Sequence, residues 1–240
     1  MRRRTLLLLA LSAPLGVAHA QPPLLRVVGS ADPPYRIFGP AGAGGLYYEL
    51  LSEAARRLGW TLRFDEAPSA RALRMMELGE ADLMMGPFRA PARERFLLYT
   101  QVPLPAVDIA FYTQPWVVPL RHPDDLVGRT IAVHRGKRYG SAFDEDPRLR
   151  RHELSNYRTA FEMVARGRAD VVVVPELQGD LLQRELQLDL VKQPLRMSGL
   201  QPHVVLSRLS PWLAYQGELE RAFQSMREDG SWQRILQRYR

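Results

Sequence analysis

One pattern occurs twice in this chain: Ala72-Leu-Arg-Met75-Met-Glu-Leu-Gly79-Glu-Ala81-Asp82 and, 88 residues later, Ala160-Phe-Glu-Met163-Val-Ala-Arg-Gly167-Arg-Ala169-Asp170. In each copy an alanine and a methionine three residues apart share one helix face. A glycine then stops the helix, and a turn aspartate opens a strand. A single α-to-β connection of this kind is common in α/β proteins. The same spacing met twice predicts two lobes built alike.

Working outward, Leu24–Val28 reads as a short buried strand. The loop Gly29–Tyr35 follows, where Pro33-Pro34 forbids helix. Gly39–Gly45 reads as a flexible connector. Leu46–Leu58 reads as a helix with Leu46, Leu50, Leu51, Ala54 and Leu58 on one face and Gly59 at its end, and Trp60–Phe64 as a strand. Asp82 opens a strand that runs through Met85 into Gly86. The second half repeats the order with strand Thr130–Val133, helix Tyr157–Arg166 and the apolar run Val171–Val174, which predicts a parallel strand covered on both faces. Pro211–Arg227 is amphipathic, and Trp232–Tyr239 reads as a final helix. If this last block folds back onto the first lobe, the chain crosses between lobes twice and forms a two-stranded hinge.

The start of the chain reads as a secretory leader. Arg2-Arg3-Arg4 precede the apolar stretch Thr5–Val17, and Ala18-His19-Ala20 supplies small residues where a signal peptidase cuts. The stretch holds Pro14 and Gly16 and is shorter than the ~20 residues a spanning helix needs. Export across the inner membrane to the periplasm follows, with cleavage after Ala20. The chain has no cysteine, hence neither a disulfide framework nor a lipidation site. Without the three leader arginines the net charge of +7 becomes +4. Basic residues form no long run and are not interleaved with aromatics, which argues against nucleic-acid binding. Lys137 and Lys192 are the only lysines. The histidines lack metal-ligand spacing, and neither a metal nor any other cofactor is expected.

With these landmarks in order, the chain resembles the family 3 bacterial extracellular solute-binding proteins. The landmarks are Asp32-Pro-Pro-Tyr35, Gly45-Leu-Tyr-Tyr-Glu-Leu50, Leu78-Gly-Glu-Ala-Asp82, Ala90-Pro-Ala-Arg-Glu-Arg95 leading to Leu98-Tyr-Thr100, Asp125–Thr130, Gly136, Gly167–Asp170 and Asp229-Gly-Ser-Trp232. The resemblance implies an α/β, two-lobed periplasmic-binding-protein-like (type II) fold with a two-stranded hinge. Residues 21–106 and 204–240 would form lobe I and 107–203 lobe II, after a signal peptide over 1–20. It further implies a monomer that captures a small polar ligand between its lobes for the membrane permease of an ABC-type importer.

Within the resemblance, Arg93 matches the arginine that grips a ligand carboxylate, a task suited to the planar guanidinium. Its alternative is a solvated helix face. The residue three before it, usually threonine, is Ala90, and the position of an ammonium-binding aspartate is Pro175. Both departures make an ordinary α-amino acid an uncertain ligand. Gly86 and Phe88 occupy cleft-lining positions. Glu176 could replace the missing aspartate or simply open the next helix. Asp32 could accept from a ligand ammonium or hydroxyl, or serve the turn before Pro33-Pro34, and Tyr35 could line the same wall. Arg71, in a Pro68-x-x-Arg turn, and Arg138, after Gly136-Lys137, would add positive charge, so the ligand is expected to carry a carboxylate.

No nucleophile elbow, phosphate loop or nucleophilic cysteine is present, and a binding role is expected rather than an enzymatic one. Two alternatives stay open. One is a dehydratase of the cyclohexadienyl type on the same scaffold, with Glu176 or Asp32 as general acid. The other is a ligand-presenting partner of a sensor. The leader reading has a direct check: Edman sequencing of the exported protein is expected to begin at Gln21, and a protein still starting at Met1 would refute cleavage.

Overall fold

The computed structural model describes residues 24–239, so the expected leader lies outside the described residues. The first lobe begins with β1 (Leu25–Gly29), the hairpin β2 (Ile37–Gly39) and β3 (Gly42–Gly44), α1 (Leu46–Leu58), β4 (Leu62–Glu66) and α2 (Ser69–Leu78). It continues through β5 (Leu83–Phe88), the one-turn α3 (Pro91–Glu94) and β6 (Leu97–Pro103). The second lobe holds β7 (Val107–Thr113), β8 (Thr130–His134), α4 (Ser141–Asp144), β9 (Arg150–Leu154), α5 (Tyr157–Ala165), β10 (Val171–Pro175), α6 (Glu176–Leu186) and β11 (Val191–Leu200). The chain then returns through β12 (Pro202–Ser207), α7 (Gln216–Glu228) and α8 (Ser231–Gln237). Among these described residues no helix is long and apolar enough to cross a membrane.

Two five-stranded sheets result, in the orders β4-β1-β5-β12-β6 and β9-β8-β10-β7-β11. The plan is the same in both. Three parallel strands stand side by side, and the fourth place is taken by an antiparallel strand that has just crossed from the other lobe. That strand is β12 in the first sheet and β7 in the second. Each lobe is therefore completed by chain that arrives from its partner. The crossings run through Leu104–Ala106 and Gln201 and are hydrogen-bonded to each other, Leu104 N donating to Pro202 O at 3.1 Å. Gln201 Nε2 donates back to Leu104 O at 2.5 Å.

The repeated sequence pattern performs the same job in each lobe. Gly79 and Gly167 end α2 and α5 at φ of +70° and +68°, the left-handed region that glycine enters without strain. Asp82 Oδ2 then accepts from Arg26 N in β1 at 2.9 Å. Its counterpart, Asp170 Oδ2, accepts from Thr130 N in β8 at 2.7 Å. The two aspartates thus fasten the start of the third strand to the start of the first. Ala72 and Ala160 are fully buried, where a larger side chain would push the helix off the sheet.

The structure differs from the sequence reading at three points. The stretch read as a connector forms the β2–β3 hairpin, paired from Ile37–Gly44 to Gly39–Gly42. Strand β10, buried along Val171–Val174, is parallel to β8 but antiparallel to β7, so its apolar run marks a sheet centre and not an all-parallel sheet. The fourth strand of a sheet cannot be foreseen locally, because it is supplied from elsewhere in the chain. The stretch Pro211–Arg227 is divided, with a 3-10 turn over Pro211–Tyr215 before α7.

The last block packs on the first lobe. α7 and α8 lie against α1. Arg57 of α1 reaches Asp229 Oδ2 at 2.8 Å and Ser231 Oγ at 2.7 Å, and Glu49 is held by Arg238 and Tyr239. Trp212, fully enclosed, stacks edge-on to Trp60 at 4.7 Å. In the second lobe the tightest seat is that of Gly179 in α6. A Cβ there would lie 2.5 Å from Tyr112 Cε2 and 2.7 Å from Val174 Cγ1. Gly179→Ala is therefore expected to lower the unfolding free energy by about 1–3 kcal/mol in urea titration. An unchanged midpoint would show that α6 can move off the sheet freely.

Candidate functional site

The loop after β1 is pressed onto the start of α1. Asp32 and Arg36 pair through their backbones, Asp32 N donating to Arg36 O at 2.9 Å and Arg36 N to Asp32 O at 3.1 Å. Two otherwise unsatisfied amides at the head of α1 are met by this loop: Leu46 N donates to Pro34 O and Tyr47 N to Tyr35 O, both at 2.9 Å. Gly45 makes the contact possible, since a Cβ there would stand 2.8 Å from Pro34 O. The loop is thereby fixed, and Asp32 is aimed toward the second lobe.

Asp32 is the junction of the two lobes. Its carboxylate is 13% exposed. From its own lobe it accepts from Arg36 Nη2 at 3.0 Å. From the second lobe it accepts from Lys137 Nζ at 2.7 Å and Gln178 Nε2 at 3.1 Å. Burial by itself would push this carboxyl up, but the Lys137 ammonium and the Arg36 guanidinium outweigh it and hold the pKa below the ordinary carboxylate value. Arg36 is itself buried, spending its other donors on Ser30 O at 2.9 Å and Met85 O at 2.8 Å. Gly86 makes room for it, because a Cβ there would fall 2.5 Å from Arg36 Nη1 and 3.0 Å from Tyr47 Cε2.

Aromatic walls flank the junction. Tyr35 is buried on Tyr47, ring centres 5.0 Å apart. Its phenol is pushed up first by burial and then by the charge of Asp32. Across the seam, Tyr139 and Tyr157 share a hydrogen bond of 3.0 Å, and His134 lies 5.0 Å from the Tyr157 ring. Burial raises the pKa of both phenols, and the charge of Asp32 adds to it. Burial lowers the His134 pKa, which favours the neutral imidazole.

The remaining residues singled out in the sequence fall in different places. Arg93, in α3, is half-buried, and its recorded contact is a long one of 3.4 Å from Nη1 to Phe88 O. Among the described residues it forms no ion pair with a carboxylate. Phe88 is half-buried, and its carbonyl also accepts from Tyr99 Oη at 3.3 Å. Glu176 does not reach the junction: it is held by Lys192 at 2.8 Å and Arg196 at 3.3 Å, both in β11. Arg138 turns outward, 70% exposed and 3.9 Å from Asp144. Arg71 is exposed in the first turn of α2.

Lys137, Gln178 and Arg36 occupy the junction and were not singled out by sequence. In the case of Lys137 a signal existed, because the chain has two lysines among 33 basic residues. The β8–α4 loop turns Lys137 inward and its neighbour Arg138 outward. Helix α6 does the same one half-turn along, presenting Gln178 instead of Glu176. Gln178 is buried, and its Oε1 has no hydrogen-bond partner. No group of three or more His, Asp or Glu suited to a metal ion occurs among the described residues.

A depressed folded-state pKa means that Asp32 contributes stability above its unfolded pKa and loses it as pH falls through the folded value. Asp32→Asn is expected to cost about 1.5–3 kcal/mol at pH 7. It should also flatten the further loss of stability below about pH 4 in urea unfolding. Equal acid slopes in the two proteins would contradict the ion cluster.

Comparison with known proteins places this geometry. The model of the bacterial extracellular solute-binding proteins, family 3, matches residues 25–240. No curated protein matches in sequence. Among solved structures, a histidine kinase sensor domain with similarity to periplasmic binding proteins superposes with a TM-score of 0.77 at 22% identity, over 91% of this chain and 96% of that one. A mutant of ArgBP from T. maritima gives 0.76 at 20% identity, over 90% and 94%. The substrate-binding protein of an amino acid ABC transporter gives 0.73 at 16%, over 90% and 99%. At these identities the likeness is one of fold. The family match covers nearly the whole described chain, and the two sheets completed by crossing strands agree with it: the protein belongs to the bacterial extracellular solute-binding proteins of family 3.

Proposed function

We propose that the protein is a periplasmic solute-binding protein. It would capture a small, polar, carboxylate-bearing molecule between its lobes and deliver it to the membrane permease of an ABC-type importer. The observation that carries this reading is the junction at Asp32, where buried polar groups from both lobes converge on one point. Such convergence within an aromatic-walled seam is the usual form of a small-ligand site. Tyr35, Gly86 and Phe88 form the first-lobe side of the site. Arg93 is its carboxylate clamp, because its guanidinium has donors to spare. Arg71 and Arg138, both exposed, would act at longer range by drawing an anion toward the seam. The family, and the amino acid transport named for a structural neighbour, support a transported solute of amino-acid size.

Catalysis is the weaker reading for a specific reason. A dehydratase needs a proton donor, and Asp32 is held ionised by Lys137 and Arg36. Glu176 is engaged by Lys192 and Arg196. A sensory role has one observation in its favour, the likeness to a histidine kinase sensor domain. It would leave the ligand site unchanged and alter only the partner.

A thermal-shift screen of amino acids, organic acids, amines and short peptides tests the capture reading. A true ligand at 100 times its Kd adds about 2.7 kcal/mol of stability. The expected hit carries a carboxylate and loses its shift in Arg93→Ala. Failure of every small solute to raise the melting temperature would overturn the proposal.

A further inference from the structure

The seam at Asp32 is joined by side chains of both lobes, and the segments that present them are braced. In the first lobe the loop carrying Asp32 is pinned to the head of α1, and Arg36 backs the carboxylate at 3.0 Å. In the second lobe the β8–α4 loop is fixed as well. Gly136 turns the chain at a φ of +74°, and Lys137 N donates to His134 O at 3.1 Å. His134 N donates to Tyr139 Oη at 2.9 Å. Tyr139 N and Gly140 N both donate to Asp144 Oδ2, at 3.1 and 3.2 Å. Lys137 Nζ, on a side chain 25% exposed, thus reaches Asp32 at 2.7 Å from a loop held on either side of it.

A second element of the same lobe meets the same carboxylate. Gln178, in the first turn of α6, donates through Nε2 at 3.1 Å. With Arg36, this gives Asp32 three donors for the roughly four acceptor positions of a carboxylate. Two of the donors are cations, so the buried charge is met by the chain itself. Opening the lobes about the paired crossings would part Asp32 from Lys137 and Gln178 together. Arg36 would stay, because it belongs to the same loop as Asp32.

We infer that Lys137 is a latch: it fastens the second lobe over Asp32 with no solute required, and a solute enters only when this ammonium lets go. The latch rests on the two-lobed fold and the Asp32 cluster. It goes beyond the capture reading, which concerns what enters the cleft and not what holds the lobes together beforehand.

The chain has no cysteine, so Ser69→Cys at the start of α2 and Ser155→Cys before α5, both exposed, place one spin label on each lobe. Double electron–electron resonance then reads the distance between lobes. The purified protein is first unfolded in guanidinium, dialysed and refolded, which strips any co-purified solute. One dominant short distance is expected with no solute added. Lys137→Met keeps the apolar stem and removes the charge. It should lower the closed-to-open ratio at least roughly tenfold, because closing then buries Asp32 one charged donor short, and a longer distance should appear. Arg135→Ala, in the same loop but paired outward with Glu153, should leave the distribution unchanged. Small-angle scattering of the unlabelled proteins should rank their radii of gyration in the same order. If Lys137→Met does not refold, Gln178→Leu, which removes the other second-lobe donor, decides in its place. A short distance as dominant in the folded variant as in the parent would overturn the latch. A refolded parent that is already open would overturn it too, since closure would then need a solute, and the capture reading would stand without it. Conversely, a solute screen without a single hit sinks the capture reading and leaves the latch to the distance measurement.

Discussion

A carboxylate taken out of water must be met by donors or it will not stay charged, and Asp32 meets two of its three only when the lobes come together. Lys137 and Gln178 lie more than 100 residues further along the chain, in the second lobe. The seam between lobes is thus defined by one buried charge whose partners are divided between the two halves. Everything placed around it follows: the loop pinned to α1, the glycine that makes room for Arg36, and the two tyrosine walls.

The topology makes such a junction possible. Each sheet takes its fourth strand from chain that has just left the other lobe, and the two crossings are hydrogen-bonded side by side. A rotation of one lobe against the other would turn about this short ladder. The Asp32 cluster lies where that rotation would make and break contacts. Ion pairs of this kind gain little over solvated charges, because desolvation offsets most of the attraction.

Both lysines of an otherwise arginine-rich chain lie in the second lobe and end in partly buried ion pairs, Lys137 with Asp32 across the seam and Lys192 with Glu176 and Asp180 within its own lobe. An ammonium is compact, rotates freely and can shift its three donors among neighbours. A guanidinium is broad and fixed in its fork. The junction has room for the former beside Arg36, whose guanidinium already fills the space that Gly86 leaves open.

The repeated Ala-Met-Gly-Ala-Asp spacing determined by itself that the chain builds two like α/β lobes, because helix period, glycine stop and turn aspartate are local properties read along consecutive residues. Asp32 and Tyr35 stood out in the sequence through the Pro-Pro loop that carries them, while their meeting with the second lobe did not. Which of two neighbours faces the junction was not legible. Lys137 and Arg138, like Glu176 and Gln178, differ by one or two positions, and a loop or first helical turn sends such neighbours in opposite directions. Strands β7 and β12 were beyond local reading too, since their places are fixed by pairing across the whole chain. Tertiary structure alone decided which charges share a buried point, because that depends on distances in space between residues far apart in sequence, and those distances set the energy of a charge removed from water.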